Sequence, residues 1–171
     1  MNERTGVIKF KGNPMTLVGG GVKVGDPLPP FCVTANDLSP IKAEDFKGRV
    51  LAVVTVPSVD TPVCATETRR FNKNVADLSG DVRILVVSLD LPFAQKRFCA
   101  AEGIDRVSTA SDYKDHKFGE AFGARIKELG LLTRAVFVFD KQGQCTYAEY
   151  VPEVTQEPNY DAAFAAVKAA L

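Results

Sequence analysis

Between Val50 and Gly103 the chain alternates two hydrophobic patterns, and few folds accommodate that alternation. Leu51 to Val56 is a near-continuous run of β-branched and apolar residues, the pattern of a strand covered on both faces. Pro62 to Leu78 follows, with Phe71, Val75 and Leu78 at helical spacing. Val82 to Leu89 reads as a second buried strand. Pro92 to Glu102 reads as a second helix, closed by Gly103 where a left-handed residue commonly ends a helix. Two buried strands joined through a helix form a parallel crossover unit.

The flanking segments complete the pattern. Val107 to Ser111 reads as a short strand and Lys114 to Phe122 as a weak helix. Ala135 to Asp140 and Cys145 to Tyr150 are strands joined by Lys141-Gln142-Gly143-Gln144, a hairpin signal. Asn159 to Leu171 is an alanine-rich amphipathic helix with Asn159 as its N-cap. Upstream, Gly6 to Lys11 and Met15 to Val18 flank Gly12-Asn13-Pro14 as a hairpin, and a glycine-rich loop with Val22 to Val24 follows. Pro27, Pro29 and Pro30 force an extended connection. Phe31 to Thr34 is a short strand, Asn36-Asp37 a turn, and Ile41 to Phe46 a strand or a short helical turn. Hairpin, then βαβα, then ββα is the order of a thioredoxin-like fold. The expected class is α/β, a central mixed sheet flanked by helices with an added hairpin over residues 1–24. At 171 residues one domain over 1–171 is expected, large enough for a core without metal or disulfide support.

Charge and composition remove several classes of function. Lys plus Arg and Asp plus Glu number 21 each, and the basic residues are scattered, so no nucleic-acid footprint is expected. No apolar run reaches transmembrane length, so no membrane partner is expected. The start, Met1-Asn2-Glu3-Arg4-Thr5, has no apolar leader pattern, and a cytoplasmic location is the expectation. Neither a dinucleotide-binding nor a phosphate-binding glycine motif occurs, so no nucleotide cofactor is implied. The four cysteines, Cys32, Cys64, Cys99 and Cys145, form no C-x-x-C pair, and the single histidine, His116, is remote from all of them. A zinc site needs ligands in close pairs, so no metal is expected. What remains is buried apolar cysteines, or one or two that are chemically active.

Cys64 has the distinctive position. The segment Pro57-Ser58-Val59-Asp60-Thr61-Pro62-Val63-Cys64 follows directly on a buried strand, at the strand edge where open α/β sheets bind ligands. Thr61 suits an N-cap and Pro62 the first helical position, which makes Cys64 the third helical residue. The first amides of a helix lack intrahelical partners and carry the positive end of its dipole, so a thiolate there is stabilised. The thiolate is the nucleophilic form of cysteine. A half-buried structural cysteine beside an ordinary cap is the plainer alternative, and the strand, cap and proline together argue against it.

The run Pro57-x-x-x-Thr61-x-x-Cys64 resembles the active-site motif of the peroxiredoxins. The string from Ser58 through Cys64 to Asn72 is similar to the bacterial thiol peroxidase subfamily, the atypical two-cysteine peroxiredoxins. So are Ser88 to Gln95 running on to Cys99, Gly130 to Val138, Glu157-Pro158-Asn159-Tyr160, and Gly12-Asn13-Pro14 with Gly25-Asp26. The resemblance spans nearly the whole chain. It implies a peroxidase acting on hydrogen peroxide and alkyl hydroperoxides. Cys64 is implied to be the peroxidatic cysteine, with Thr61 hydrogen-bonding at the thiolate and peroxide. Pro57 is implied to shield the cysteine, and Arg134 to favour the thiolate and polarise the peroxide. Cys99 is implied to be the resolving cysteine that forms an intramolecular disulfide, thioredoxin the reductant, and the assembly a homodimer. No cofactor is implied.

Taken alone, the residues leave alternatives open. Arg134 opens a strand and by spacing could be a solvated surface residue. Cys99, 35 residues beyond Cys64 (99 − 64), could be a core-facing helical thiol. Cys32 and Cys145, on strands, read as buried inert thiols. His116 reads as a solvated residue among charges, and Asp60 as an exposed turn residue. A thioredoxin-class disulfide oxidoreductase is disfavoured, because Thr61 stands where that chemistry uses cysteine. A peroxide sensor that relays oxidation of Cys64 to a partner protein shares the same cysteines.

Overall fold

A computed structural model describes residues 1–75, 77–78 and 80–171. In chain order the elements are β1 (Glu3–Phe10), β2 (Asn13–Val18), β3 (Cys32–Ala35), β4 (Pro40–Lys42), β5 (Val50–Thr55), α1 (Pro62–Val75) and β6 (Val82–Ser88). There follow α2 (Pro92–Glu102), β7 (Ser108–Ser111), α3 (Lys117–Ala121), β8 (Arg125–Ile126), β9 (Ala135–Phe139), β10 (Cys145–Tyr150) and α4 (Tyr160–Ala170). A 3-10 turn, Ala43–Phe46, follows β4.

The main sheet has seven strands in the order β10-β9-β5-β6-β7-β3-β4. β5 pairs in parallel with β6, and β6 with β7; β9 runs antiparallel to β5 and β10 to β9. All six residues of β5 are buried, because both faces of the sheet are covered. Strand periodicity sorts them. Val50, Ala52 and Val54 join Ile84, Val86, Val136 and Val138 in the layer that also holds Cys64 and Phe71 of α1 and Ala163 and Val167 of α4. Leu51 and Val53 join Leu85, Val87, Phe137 and Phe139 against Phe31, Phe118 and Phe122. The expected α/β architecture, mixed sheet and N-terminal hairpin are all present.

The differences lie where sequence pattern is short. α1 ends at Val75, earlier than the expected Leu78, whose amide closes a turn on the Val75 carbonyl at 3.0 Å; Ala76 lies outside the described residues. α3 has only five residues. β8, two residues long, was not expected; it pairs with β2 and extends the hairpin into a second sheet, β1-β2-β8. This small sheet is fixed to the body by Arg4, which donates to the Gly19 and Gly123 carbonyls and stacks on Tyr150. Gly19 is required there: its φ is 104°, and a Cβ would lie 2.1 Å from the Glu120 carbonyl oxygen.

Candidate active site

The loop between β5 and α1 leaves the centre of the sheet and is held by Asp90, just beyond β6. The Asp90 carboxylate accepts from the Ser58 hydroxyl at 2.7 Å, the Val59 amide at 2.9 Å and the Ser88 hydroxyl at 2.6 Å. Pro57 is buried at the start of this loop and Asp60 is exposed at its tip. Thr61 caps the helix. Its hydroxyl donates to the Ser58 carbonyl and accepts from the Cys64 amide at 3.3 Å, and its carbonyl takes the first helical hydrogen bond, from Ala65. Cys64 is the third residue of α1.

Arg134 precedes β9 and reaches the same place from the other side. Its Nη2 donates to Cys64 Sγ at 3.3 Å, its Nε to the Val154 carbonyl at 2.9 Å, and its Nη1 to Glu67 Oε2. A guanidinium held on three sides presents one fixed donor and one positive charge to the sulfur. Burial works against that charge, but the Glu67 carboxylate and the Cys64 sulfur outweigh it and raise the Arg134 pKa above its ordinary value. Glu67, fully buried, is itself pushed up to about 7 by desolvation, with the Arg134 charge opposing the shift. Its second oxygen has no partner among the described residues.

Glu67 was not identified from sequence, although a signal existed. Cys64, Thr68 and Phe71 occupy one helical face, and Glu67 sits inside that apolar stripe rather than opposite it. Arg134 resolves in the other direction: spacing left it as a surface candidate, and it is buried.

Cys99 projects from α2 and is partly exposed. Its Sγ lies 3.3 Å from the Thr109 hydroxyl, at the edge of a groove of about 450 Å³ lined also by Asn36, Asp37, Ile104 and Val107. All four cysteines are free thiols. Cys64 is fully buried. Cys145 is buried as expected, and desolvation pushes its thiol up to about 11. Cys32 is exposed, not buried. It begins β3 beyond the reach of β7, which pairs only with Thr34 and Ala35. His116 is half-buried rather than solvated, with φ 59° at the start of α3 and its Nδ1 enclosed. Among the described residues no three His, Cys, Asp or Glu gather as a metal site, and no helix is long and apolar enough to cross a membrane.

Chemically, a sulfur at a helix N-terminus with an arginine donor is equipped to carry negative charge and to stabilise charge developing on a bound oxygen. The Redoxin family model matches residues 23–164. A thiol peroxidase of Halalkalibacterium halodurans is 55% identical over 164 residues, covering 96% of this chain and 98% of that protein. A thiol peroxidase of Bacillus subtilis is 54% identical over 162 residues, covering 95% and 96%. The crystal structure of a peroxiredoxin-like protein from Aquifex aeolicus superimposes with a TM-score of 0.91 at 46% identity, covering 98% of each chain.

Proposed function

The chain belongs to the Redoxin family, within its bacterial thiol peroxidases, and from that membership we propose that Cys64 is the sulfur that meets the peroxide. The protein is a peroxiredoxin-type enzyme that reduces peroxides with a thiol. In the proposed first step the Cys64 thiolate attacks one peroxide oxygen. A sulfur–oxygen bond forms, the oxygen–oxygen bond breaks, and the departing alkoxide or hydroxide takes a proton to leave as alcohol or water. Cys64 is left as a sulfenic acid. Thr61 orients the sulfur and the incoming peroxide, Arg134 stabilises the charge, and Pro57 walls the loop.

In the second step the Cys99 thiol condenses with the sulfenic acid. The Cys64–Cys99 sulfur–sulfur bond forms, the sulfur–oxygen bond breaks, and water leaves. Thioredoxin then reduces the disulfide by thiol exchange. Hydrogen peroxide and alkyl hydroperoxides are the proposed substrates, and a cytoplasmic homodimer is the proposed form; both rest on likeness to the family. The observation that best supports the reading is the 3.3 Å contact from Arg134 to Cys64 Sγ.

The test is turnover with defined variants. Cys64→Ser is expected to abolish peroxide consumption. Cys99→Ser is expected to keep the first oxidation but lose recycling by thioredoxin and its reductase. Peptide masses after one equivalent of peroxide should show Cys64 joined to Cys99. Normal cycling of Cys99→Ser would overturn the resolving role. A single oxidation that stalls with the full reducing system present would favour a sensor.

A further inference from the structure

Cys99 borders the apolar layer that holds Cys64, but on its β7 side the seat is polar where a helix on a sheet is ordinarily apolar. β7 turns Thr109 and Ser111 toward α2, both buried, where valines would pack as well. Ser111 donates to the Asp90 carbonyl, and buried Gln95, one turn before Cys99, donates to Ser88 Oγ and the Ala110 carbonyl. The end of this seam is a closed ring of three side chains. Thr109 donates its hydroxyl proton to Asn36 Oδ1 at 2.9 Å, and Asn36 Nδ2 faces Cys99 Sγ at 3.9 Å. Cys99 Sγ completes the ring at 3.3 Å from the Thr109 oxygen.

The ring has a direction. A hydroxyl has one proton, and Thr109 gives it to Asn36, so only the Cys99 S–H can close the contact to Thr109 Oγ1. Asn36, from the turn after β3, and Thr109, from β7, therefore tie the α2 thiol to two strands at once. Each bond is neutral and faces a groove, so water can replace it without leaving a buried group unpaired.

We infer that Asn36 and Thr109 are a latch that keeps Cys99 seated as a thiol, and so set how fast it leaves to meet oxidised Cys64. They act through Cys99 and are positioning residues. The inference rests on the reading of Cys99 as the resolving cysteine. Its consequence is chemical: a slow release prolongs the Cys64 sulfenic acid and gives a second peroxide time to convert it to sulfinic acid, adding one oxygen and releasing one further water or alcohol.

Thr109→Val removes the hydroxyl at nearly constant volume, and Thr109→Ser keeps it. In a Cys64→Ser background, alkylation of Cys99 by iodoacetamide, followed by peptide mass to separate it from exposed Cys32, reads the latch without any resolving step. Thr109→Val is expected to react about fivefold faster, the factor of one neutral hydrogen bond, and Thr109→Ser at the parent rate. With Cys64 present, Thr109→Val and Asn36→Ala are expected to speed the disulfide phase about fivefold after one equivalent of hydrogen peroxide. The first oxidation should be unchanged, and the sulfinic acid yield at excess peroxide should fall. Equal alkylation of the valine variant and the parent, or a serine variant behaving like valine, overturns the latch. Faster alkylation without a faster disulfide phase overturns its control of the rate. Absence of a Cys64–Cys99 disulfide in the parent overturns instead the resolving role on which the inference stands.

Discussion

Arg134 and Glu67 meet as an ion pair from which water is excluded, their side chains 2% and 0% exposed. The pair lies one helical turn behind the sulfur, so the state of Glu67 determines how much of the Arg134 charge is free to act on Cys64. Two charges taken out of water recover their desolvation only when every remaining lone pair is satisfied, and here one Glu67 oxygen is not. Burial accordingly pushes the Glu67 carboxyl up to about 7 from an ordinary 4.5.

A proton held this tightly makes stability depend on pH, with a definite sign. A raised carboxyl means that the folded state holds a proton the unfolded chain has already lost between pH 4.5 and about 7. Its contribution is complete below pH 4.5 and disappears as pH rises through 7. Glu67→Gln holds the neutral form at every pH. Relative to this variant, the parent should lose stability between pH 5 and pH 8 by up to about 3 kcal/mol, since each tenfold difference in proton affinity between the folded and unfolded states is worth about 1.4 kcal/mol. Urea unfolding at several pH values measures the difference, and a constant gap across that range would contradict it.

Arg134→Gln separates the structural role of the arginine from its proposed chemical one. Removing one member of a buried pair leaves the other uncompensated and is expected to cost about 3–5 kcal/mol. Removing a donor aimed at developing charge is expected to slow oxidation of Cys64 about 10²- to 10³-fold. The double variant Arg134→Gln, Glu67→Gln should recover most of the stability and none of the rate. Stopped-flow oxidation and urea unfolding on all four proteins complete the cycle. Recovery of rate in the double variant would mean that the arginine acts only by neutralising Glu67.

The contrast between Cys64 and Arg134 shows what a sequence can and cannot reveal here. The position of Cys64 is local: a buried strand, a capping threonine and a proline within eight residues place it at a helix N-terminus, and the hydrogen bond from its amide to Thr61 follows from that pattern. α2 and β10 were legible for the same reason, since their signals lie inside the elements. The approach of Arg134 spans 70 residues and depends on β9 lying beside β5, which no local pattern encodes. Glu67 fell between the two cases, visible as an acid in an apolar stripe but without a partner until Arg134 was placed. Cys32 misled because a strand of four residues does not reveal which of them its neighbours cover. β8 has two residues and no period at all.

Asp90 holds the loop that carries Pro57 and Thr61, so it should influence oxidation without touching the sulfur. Its carboxylate takes three donors, two from the loop and one from β6. Asp90→Ala leaves the Val59 amide and two hydroxyls to seek new partners and should destabilise the fold by about 1–3 kcal/mol. Asp90→Asn keeps the shape but turns one acceptor into a donor, and should cost less. Both should slow peroxide oxidation of Cys64 in the order Ala, then Asn, then parent. Equal oxidation rates in all three would show that the loop holds its geometry without this anchor.

Cys64 and Cys99 sit on separate helices as free thiols, and the proposed disulfide requires their Cα atoms within about 7 Å. Cys64 is anchored by the Thr61 cap, while the Cys99 carbonyl accepts the amides of Gly103 and Ile104 that close α2. Cys99 cannot travel and keep those bonds. The C-terminal turn of α2 is the weaker of the two anchors, because Cys99 is partly exposed whereas Cys64 is fully buried. Hydrogen exchange of the reduced and disulfide forms should therefore differ most over residues 99–104, where protection should fall at least about tenfold, one power of ten in the opening constant. A smaller change is expected at residues 62–65, and none in β5 and β6. Identical protection around both cysteines in the two forms would mean that the disulfide forms without unwinding either helix, and the cap on Cys99 would then have no part in the cycle.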